Sequence, residues 1–155
     1  MGMSRQELKT MLGQDRAKEA LGEGDEPADK RSPEERESGI QQRVVQEVNE
    51  KLVHLYPALA GLHAIPNGGD RDVRVGAKLK REGVKRGVPD LCLPVPRRGY
   101  HGLYIELKAE DGRVSPDQKA WREFLLEQGY QAVIATGKRE ALDVLIDYVS
   151  QEPWA

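Results

Sequence analysis

The chain has 155 residues, 38% hydrophobic and 32% charged, which suits one domain with a real core and excludes a membrane protein built from apolar spans. No apolar run approaches the ~20 residues a membrane span needs, and the start, Met1-Gly2-Met3-Ser4-Arg5-Gln6, leads into no apolar stretch, so no secretory signal is expected. Cys92 is the only cysteine, which excludes an internal disulfide and a cysteine-built zinc site and suits a reducing cytoplasm.

Residues 1–36 carry seven basic and nine acidic side chains and few core formers. A short amphipathic piece around Leu8, Met11 and Leu12 is followed by Gly22-Glu23-Gly24-Asp25-Glu26-Pro27, so the region is expected to be a flexible acidic extension ahead of a domain over 37–151. Ile40, Val44, Val48, Leu52 and Leu55 recur at helical spacing and predict a helix over 37–56, started at Ser38 or Ser32 and stopped by Pro57. His54 lies near that stripe and is expected to be structural. Leu62-His63-Ala64-Ile65 is a short strand candidate, and Pro66-Asn67-Gly68-Gly69 is a turn. Asp70 to Glu82 then predicts a helix capped by Asp70, ended by Gly83, with Val73, Ala77 and Leu79 as a thin apolar side. Arg71, Arg74, Lys78, Lys80 and Arg81 make it strongly basic.

Val88 to Val95 and Leu103 to Ala109 predict two strands joined by a loop of hairpin length. Ser115-Pro116-Asp117-Gln118 opens the next helix with a cap, a proline at the first position and a capping-box glutamine. Trp121, Phe124, Leu125 and Leu126 are its candidate inward side chains. Ala132-Val133-Ile134-Ala135 suits a strand buried on both faces. Lys138 to Ser150 is the last helix, with Ala141, Leu142, Leu145, Tyr148 and Val149 inward. The expected fold is α/β, a central mixed β-sheet flanked by helices.

Three charged residues on the two central strands carry the chemistry. Side chains alternate along a strand, so Glu106 and Lys108 share one face while Ile105 and Leu107 enter the core. If Asp90 pairs with Glu106, the hairpin midpoint falls at residue 98, and opposed residues share a face with Cβ atoms about 4.5–5.5 Å apart. Two carboxylates that close repel, and a divalent cation offsets the repulsion; oxygen ligands of this kind suit Mg²⁺ or Mn²⁺. Lys108, on the same face, is placed to orient an attacking water or stabilise charge on a phosphate. Residues 71–98 hold nine basic and three acidic side chains, a surface suited to a polyanion. These are the parts of metal-assisted phosphodiester hydrolysis.

Pro89-Asp90 followed by Glu106-Leu107-Lys108 resembles the PD-(D/E)XK nuclease signature. Ile65-Pro66-Asn67-Gly68, Glu82-Gly83-Val84-Lys85-Arg86-Gly87-Val88-Pro89-Asp90, Gly102-Leu103-Tyr104-Ile105-Glu106-Leu107-Lys108, Ser115-Pro116-Asp117-Gln118 and Gly129-Tyr130 together resemble the virus-type replication-repair nuclease (VRR-NUC) domain. The resemblance spans roughly residues 37 to 150 and implies a restriction-endonuclease-like core. It implies Asp90, Glu106 and the backbone carbonyl of Leu107 as metal ligands and Lys108 as the catalytic lysine. It adds Gln118 as the residue positioning water or lysine, and Glu37 as a helical acid completing the metal shell directly or through water. It further implies a phage or bacterial DNA-processing protein, at work in the cytoplasm of a bacterial or phage-infected cell, that pairs as a homodimer.

Plainer readings stand beside these. Gln118 is explained by capping alone, and Glu37 by the dipole of its helix. Asn67, Arg71, Arg74, Lys78, Lys80, Arg81, Lys85 and Arg86 form the candidate DNA-facing set, although a turn and ordinary surface charge account for Asn67 and Arg71 equally well. Cys92 is a small core filler. Arg97, Arg98, Tyr100 and His101 form a basic-aromatic hairpin tip, either a nucleic-acid grip or a solvated loop. The leading expectation is a metal-dependent endonuclease acting on branched or junction DNA in replication, repair or recombination. A nuclease fold that only binds DNA junctions is the alternative.

Overall fold

The computed structural model describes residues 31–66 and 73–153. Most of the expected acidic extension, the Asp70 cap, and Asn67 and Arg71 of the DNA-facing set lie outside the described residues.

Helix α1 (Pro33–Glu47) begins earlier than its apolar stripe implies, because Ser32 is the cap. The Ser32 Oγ accepts from the Glu35 backbone N–H at 3.2 Å, and Glu35 Oε2 accepts from the Ser32 N–H at 2.8 Å, a reciprocal capping box with Pro33 in the first turn. The helix runs on through a π-helical turn (Val48–Leu52) and a short α-helical piece (Val53–Leu55). The stripe explains the π turn. Ile40, Val44, Val48, Leu52 and Tyr56 are spaced strictly by four, which outruns the 3.6-residue α period, and a wider turn keeps the later members facing the core. All five are buried. The same rotation turns Leu55 out to 46% exposure and leaves His54 exposed, so neither belongs to the core face where the simple helical count put them. A 3-10 turn (Pro57–Gly61) follows, buried through Leu59.

Among the described residues four strands form one sheet in the order β1 (His63–Ala64), β2 (Leu91–Leu93), β3 (Leu103–Lys108), β4 (Gln131–Thr136). Strands β1 and β2, and β2 and β3, pair antiparallel; β3 and β4 pair parallel through the crossover helix α3 (Pro116–Glu127). The mixed α/β sheet is as expected. Helix α2 (Val73–Arg81) joins β1 to β2, and α4 (Gly137–Val149) leaves β4 directly at Gly137.

The core lies on one face of the sheet, where α1 and α4 pack against each other and against β3. Leu91, Leu93, Leu103, Ile105 and Leu107 meet Val44, Val48, Leu142, Leu145 and Ile146 there, all essentially inaccessible to solvent. Each such side chain contributes about 1.5–3 kcal/mol through burial, so this face anchors the two central strands. The opposite face carries Cys92, Tyr104, Glu106 and Lys108, and α3, packed on β4, reaches it through Gln118.

Other elements depart from expectation for local reasons. Strand β2 is three residues long, not eight, since Pro89, Pro94 and Pro96 remove ladder donors on either side of it. Strand β4 is an edge strand with only Ala132 and Ala135 buried, so its apolar run is half covered rather than enclosed on both faces. Helix α3 buries Leu125, while Phe124 and Leu126 are 50% and 41% exposed. Helix α2 buries none of its residues. The hairpin tip is tied to the chain end: Arg98 N–H donates to Glu152 O at 3.0 Å, Arg97 Nε donates to Val149 O at 3.3 Å, and His101 packs edge-on against Tyr130.

Candidate active site

The ladder between β2 and β3 pairs Leu91 with Ile105, Cys92 with Tyr104 and Leu93 with Leu103. One step further in this register, just before β2 begins, Asp90 faces Glu106. The hairpin midpoint therefore predicts the register correctly. The chain bends at Asp90, whose backbone carbonyl accepts from Ile65 N–H at 2.8 Å. Its carboxylate turns toward β3, where Oδ2 accepts the Leu107 N–H at 2.7 Å. Leu107 thus has two jobs: its side chain lies in the core and its backbone holds Asp90.

Glu106 and Lys108 are 4% and 6% exposed, unusual for side chains of this kind. Lys108 Nζ lies 2.9 Å from Glu106 Oε1 and 3.5 Å from Glu37 Oε2. Glu37 reaches in from the first half of α1, and its Oε1 accepts from the Ala109 N–H at 3.4 Å. The room for that carboxylate comes from Gly112, where a Cβ would meet Glu37 Oε1 at 2.5 Å and Ala109 O at 3.0 Å. Arg36 Nη2 grips both oxygens of Asp111 at 2.6 Å and pins the same loop to α1. Gly112 and the Arg36–Asp111 pair were not legible beforehand; an Asp-Gly dipeptide signals only a turn.

Gln118 makes the expected cap and also reaches Glu106. Its Oε1 accepts the Ser115 N–H at 2.8 Å, which completes the capping box of α3, while its Nε2 donates to Glu106 Oε1. Capping therefore aims the amide at the carboxylate. The approach of α3 depends on Gly87, whose φ of +86° and contact with the Asp117 backbone leave no space for a side chain.

Burial is the main reason that the Glu106 carboxyl is pushed up to about 7; the charge of Asp90 adds to it, and Lys108 opposes it. Burial likewise raises Glu37, against the pull of Lys108. For Lys108 burial favours the neutral amine, but Glu106, Glu37 and Asp90 together outweigh it and raise its pKa. The result is a buried ammonium shared among three acids.

These groups line an open cleft of about 1050 Å³, which also takes in Arg86, Arg113 and Gln41. Among the described members of the DNA-facing set Arg86 reaches this cleft, and its Nε lies 3.6 Å from Asp117 Oδ2. Arg74, Lys78, Lys80, Arg81 and Lys85 are exposed outside it, with Lys78 paired to Glu82 at 3.7 Å. The hairpin tip lies at the other end of β3 from Lys108 and does not line the cleft.

The donor set fits a hard divalent cation. Glu106 Oε2 is buried without a hydrogen-bond partner among the described residues, a costly state for a carboxylate oxygen that a cation relieves. Among the described residues no three His, Cys, Asp or Glu side chains converge as a metal cage, and Glu37 engages Lys108 and Ala109 instead. A cation here would rely on two carboxylates, backbone oxygen and water, a sparse shell of the kind Mg²⁺ accepts.

The family model described as the VRR-NUC domain matches residues 35–139. The chain belongs to the VRR-NUC family. A solved structure described as a VRR_NUC domain protein is 32% identical, covers 77% of this chain and 92% of its own, and superimposes with a TM-score of 0.64. No curated protein matches the chain. VRR-NUC is a nuclease-type DNA-processing domain of the PD-(D/E)XK superfamily, so a nuclease hydrolase that engages DNA follows from membership. Among the described residues no helix is long and apolar enough to cross a membrane.

Proposed function

We propose that this VRR-NUC protein is an Mg²⁺- or Mn²⁺-dependent DNA endonuclease. It acts on branched or junction DNA in phage or bacterial replication, repair or recombination, in the cytoplasm of a bacterial or phage-infected cell. The observation that carries the reading is the buried Glu106 carboxylate with one oxygen unpartnered, facing Asp90 and touching Lys108 at the floor of an open cleft.

Asp90, Glu106 and the Leu107 carbonyl are the groups that would hold the cation, with Glu37 joining through water. When bound, the cation supplies charge neutralisation at the phosphate and lowers the pKa of water. Lys108, kept protonated by its three acidic neighbours, orients the attacking water and balances charge on the phosphate. Gln118 fixes the Glu106 oxygen toward Lys108, and Glu37 holds the ammonium from the other side. Exposed cations along α2 and the loop to Arg86 contact the DNA backbone, which favours recognition of shape over base sequence. A homodimer would set two such clefts against two strands, and the exposed Phe124 and Leu126 leave apolar surface for pairing.

The test is nicking of supercoiled plasmid and cutting of four-way junction, flap and duplex substrates, with Mg²⁺, Mn²⁺ or EDTA. Cleavage that needs the metal and disappears in Asp90→Ala and Lys108→Ala supports the proposal. DNA binding without any metal-dependent cleavage favours the rival reading, a junction-binding module.

A further inference from the structure

A second concavity, about 760 Å³, lies between the end of α2 and the outer side of α3. Lys80, Lys85 and Arg86 border it, and Trp121 forms its wall on α3. None of the described residues lining it is acidic. Trp121 is partly buried but lies outside the core cluster, and its ring meets Phe124 in a T-shaped contact at a centroid distance of 5.5 Å and an interplanar angle of 86°. Such a contact braces the indole, and Trp121 still presents surface to the groove it lines. Neither the catalytic cluster nor the core uses this tryptophan.

Two features identify the occupant. The first is composition: cations bordering an aromatic groove wall match a phosphate chain carrying unpaired bases, because any base can stack while its phosphates meet the lysines. In duplex DNA the base faces are already stacked within the helix, so they cannot use the ring. The second is continuity. Arg86 lines both this groove and the catalytic cleft, so a strand leaving the cleft past Arg86 enters the groove directly.

We infer that the groove of Lys80, Lys85, Arg86 and Trp121 is a single-strand subsite, in which an unpaired base beside the cut duplex stacks on Trp121. The inference rests on the nuclease reading and narrows its substrate to DNA with an unpaired segment next to duplex.

The full chain with Trp154→Phe keeps Trp121 as its sole tryptophan, so its fluorescence reports the groove alone. In EDTA, which prevents cleavage, the protein is titrated with a blunt duplex and with the same duplex bearing a 5′ or a 3′ thymidine overhang. Quenching by one overhang, with about 10-fold tighter binding than the blunt duplex, is the expected result; stacking on one aromatic ring commonly carries an effect of this order. In Trp121→Ala that preference collapses to the blunt-duplex level, and Trp121→Phe restores most of it, which separates stacking from loss of fold. Equal affinity for all three duplexes with unchanged fluorescence overturns the subsite while leaving the nuclease reading intact, provided Mg²⁺ then permits cutting. Absence of binding to every DNA overturns both.

Discussion

Replacing Glu106 by Gln tests the electrostatics of the site without cutting DNA. The folded-state pKa of Glu106 is about 7, against 4.5 for the free carboxyl, chiefly because of burial and then Asp90. A raised carboxyl pKa means that the folded protein holds the proton more tightly than the unfolded chain. The contribution of this group to stability is therefore full below pH 4.5, falls as pH rises between about 4.5 and 7, and is lost above that. A difference of about two and a half pKa units corresponds to roughly 3 kcal/mol, or a Tm lowered by about 10 °C in a domain of this size. The assay is a series of thermal melts in EDTA from pH 5 to pH 8.5, wild type against Glu106→Gln. Tm of the wild type should fall steeply relative to the variant across that range. Mg²⁺ should recover the loss in the wild type at pH 8, do little at pH 5, and leave the variant unmoved. Parallel Tm profiles for the two proteins, with or without Mg²⁺, would refute the claim that a buried, strained carboxylate awaits a cation here.

The neighbours make narrower predictions. Asp90→Asn keeps an acceptor for the Leu107 N–H and should melt near the wild type, while Asp90→Ala should lose about 1–2 kcal/mol by orphaning that amide; both should fail to cut plasmid. Lys108→Met removes the ammonium from three acids, so its Tm deficit in EDTA should be greater at pH 8 than at pH 5, and its cleavage rate should drop by about 10²-fold or more. Gln118→Ala should cost about 1 kcal/mol through the cap and slow cleavage as well. In contrast, Ser115→Ala should show the stability loss with a smaller rate effect, read by melts and single-turnover rates. Gly112→Ala places a methyl against Glu37 Oε1, so cleavage should fall even though α1 and its capping box stay formed by circular dichroism.

The three charged residues of the site were legible because strand geometry is rigid. Alternation set Glu106 and Lys108 on one face, and the hairpin midpoint aligned Asp90 with Glu106, the register that the ladder extends to. Single-body features of this kind follow from local rules. What sequence reasoning missed depends on elements meeting across the fold. The helix count put Leu55 inward because it assumed the 3.6 period, although the four-residue spacing from Ile40 to Tyr56 already asks for a wider turn. The run Ala132 to Ala135 looked fully enclosed because it is apolar, but enclosure depends on the number of neighbouring strands, and among the described residues β4 has only β3 beside it.

Gln118 shows how one side chain can cap a helix and still reach a neighbouring carboxylate. An amide has an acceptor end and a donor end, and a capping box occupies only the acceptor. The cap fixes the side chain at the start of α3, and the crossover from β3 to β4 carries that start over the face holding Glu106. The structural role of the oxygen is thus the means by which the nitrogen reaches the site. The same logic applies to Leu107, whose core side chain fixes the amide that grips Asp90. In both residues the part that holds the fold together also aims the part that serves the site, so a substitution that spares stability while disturbing cleavage must act on the free end alone.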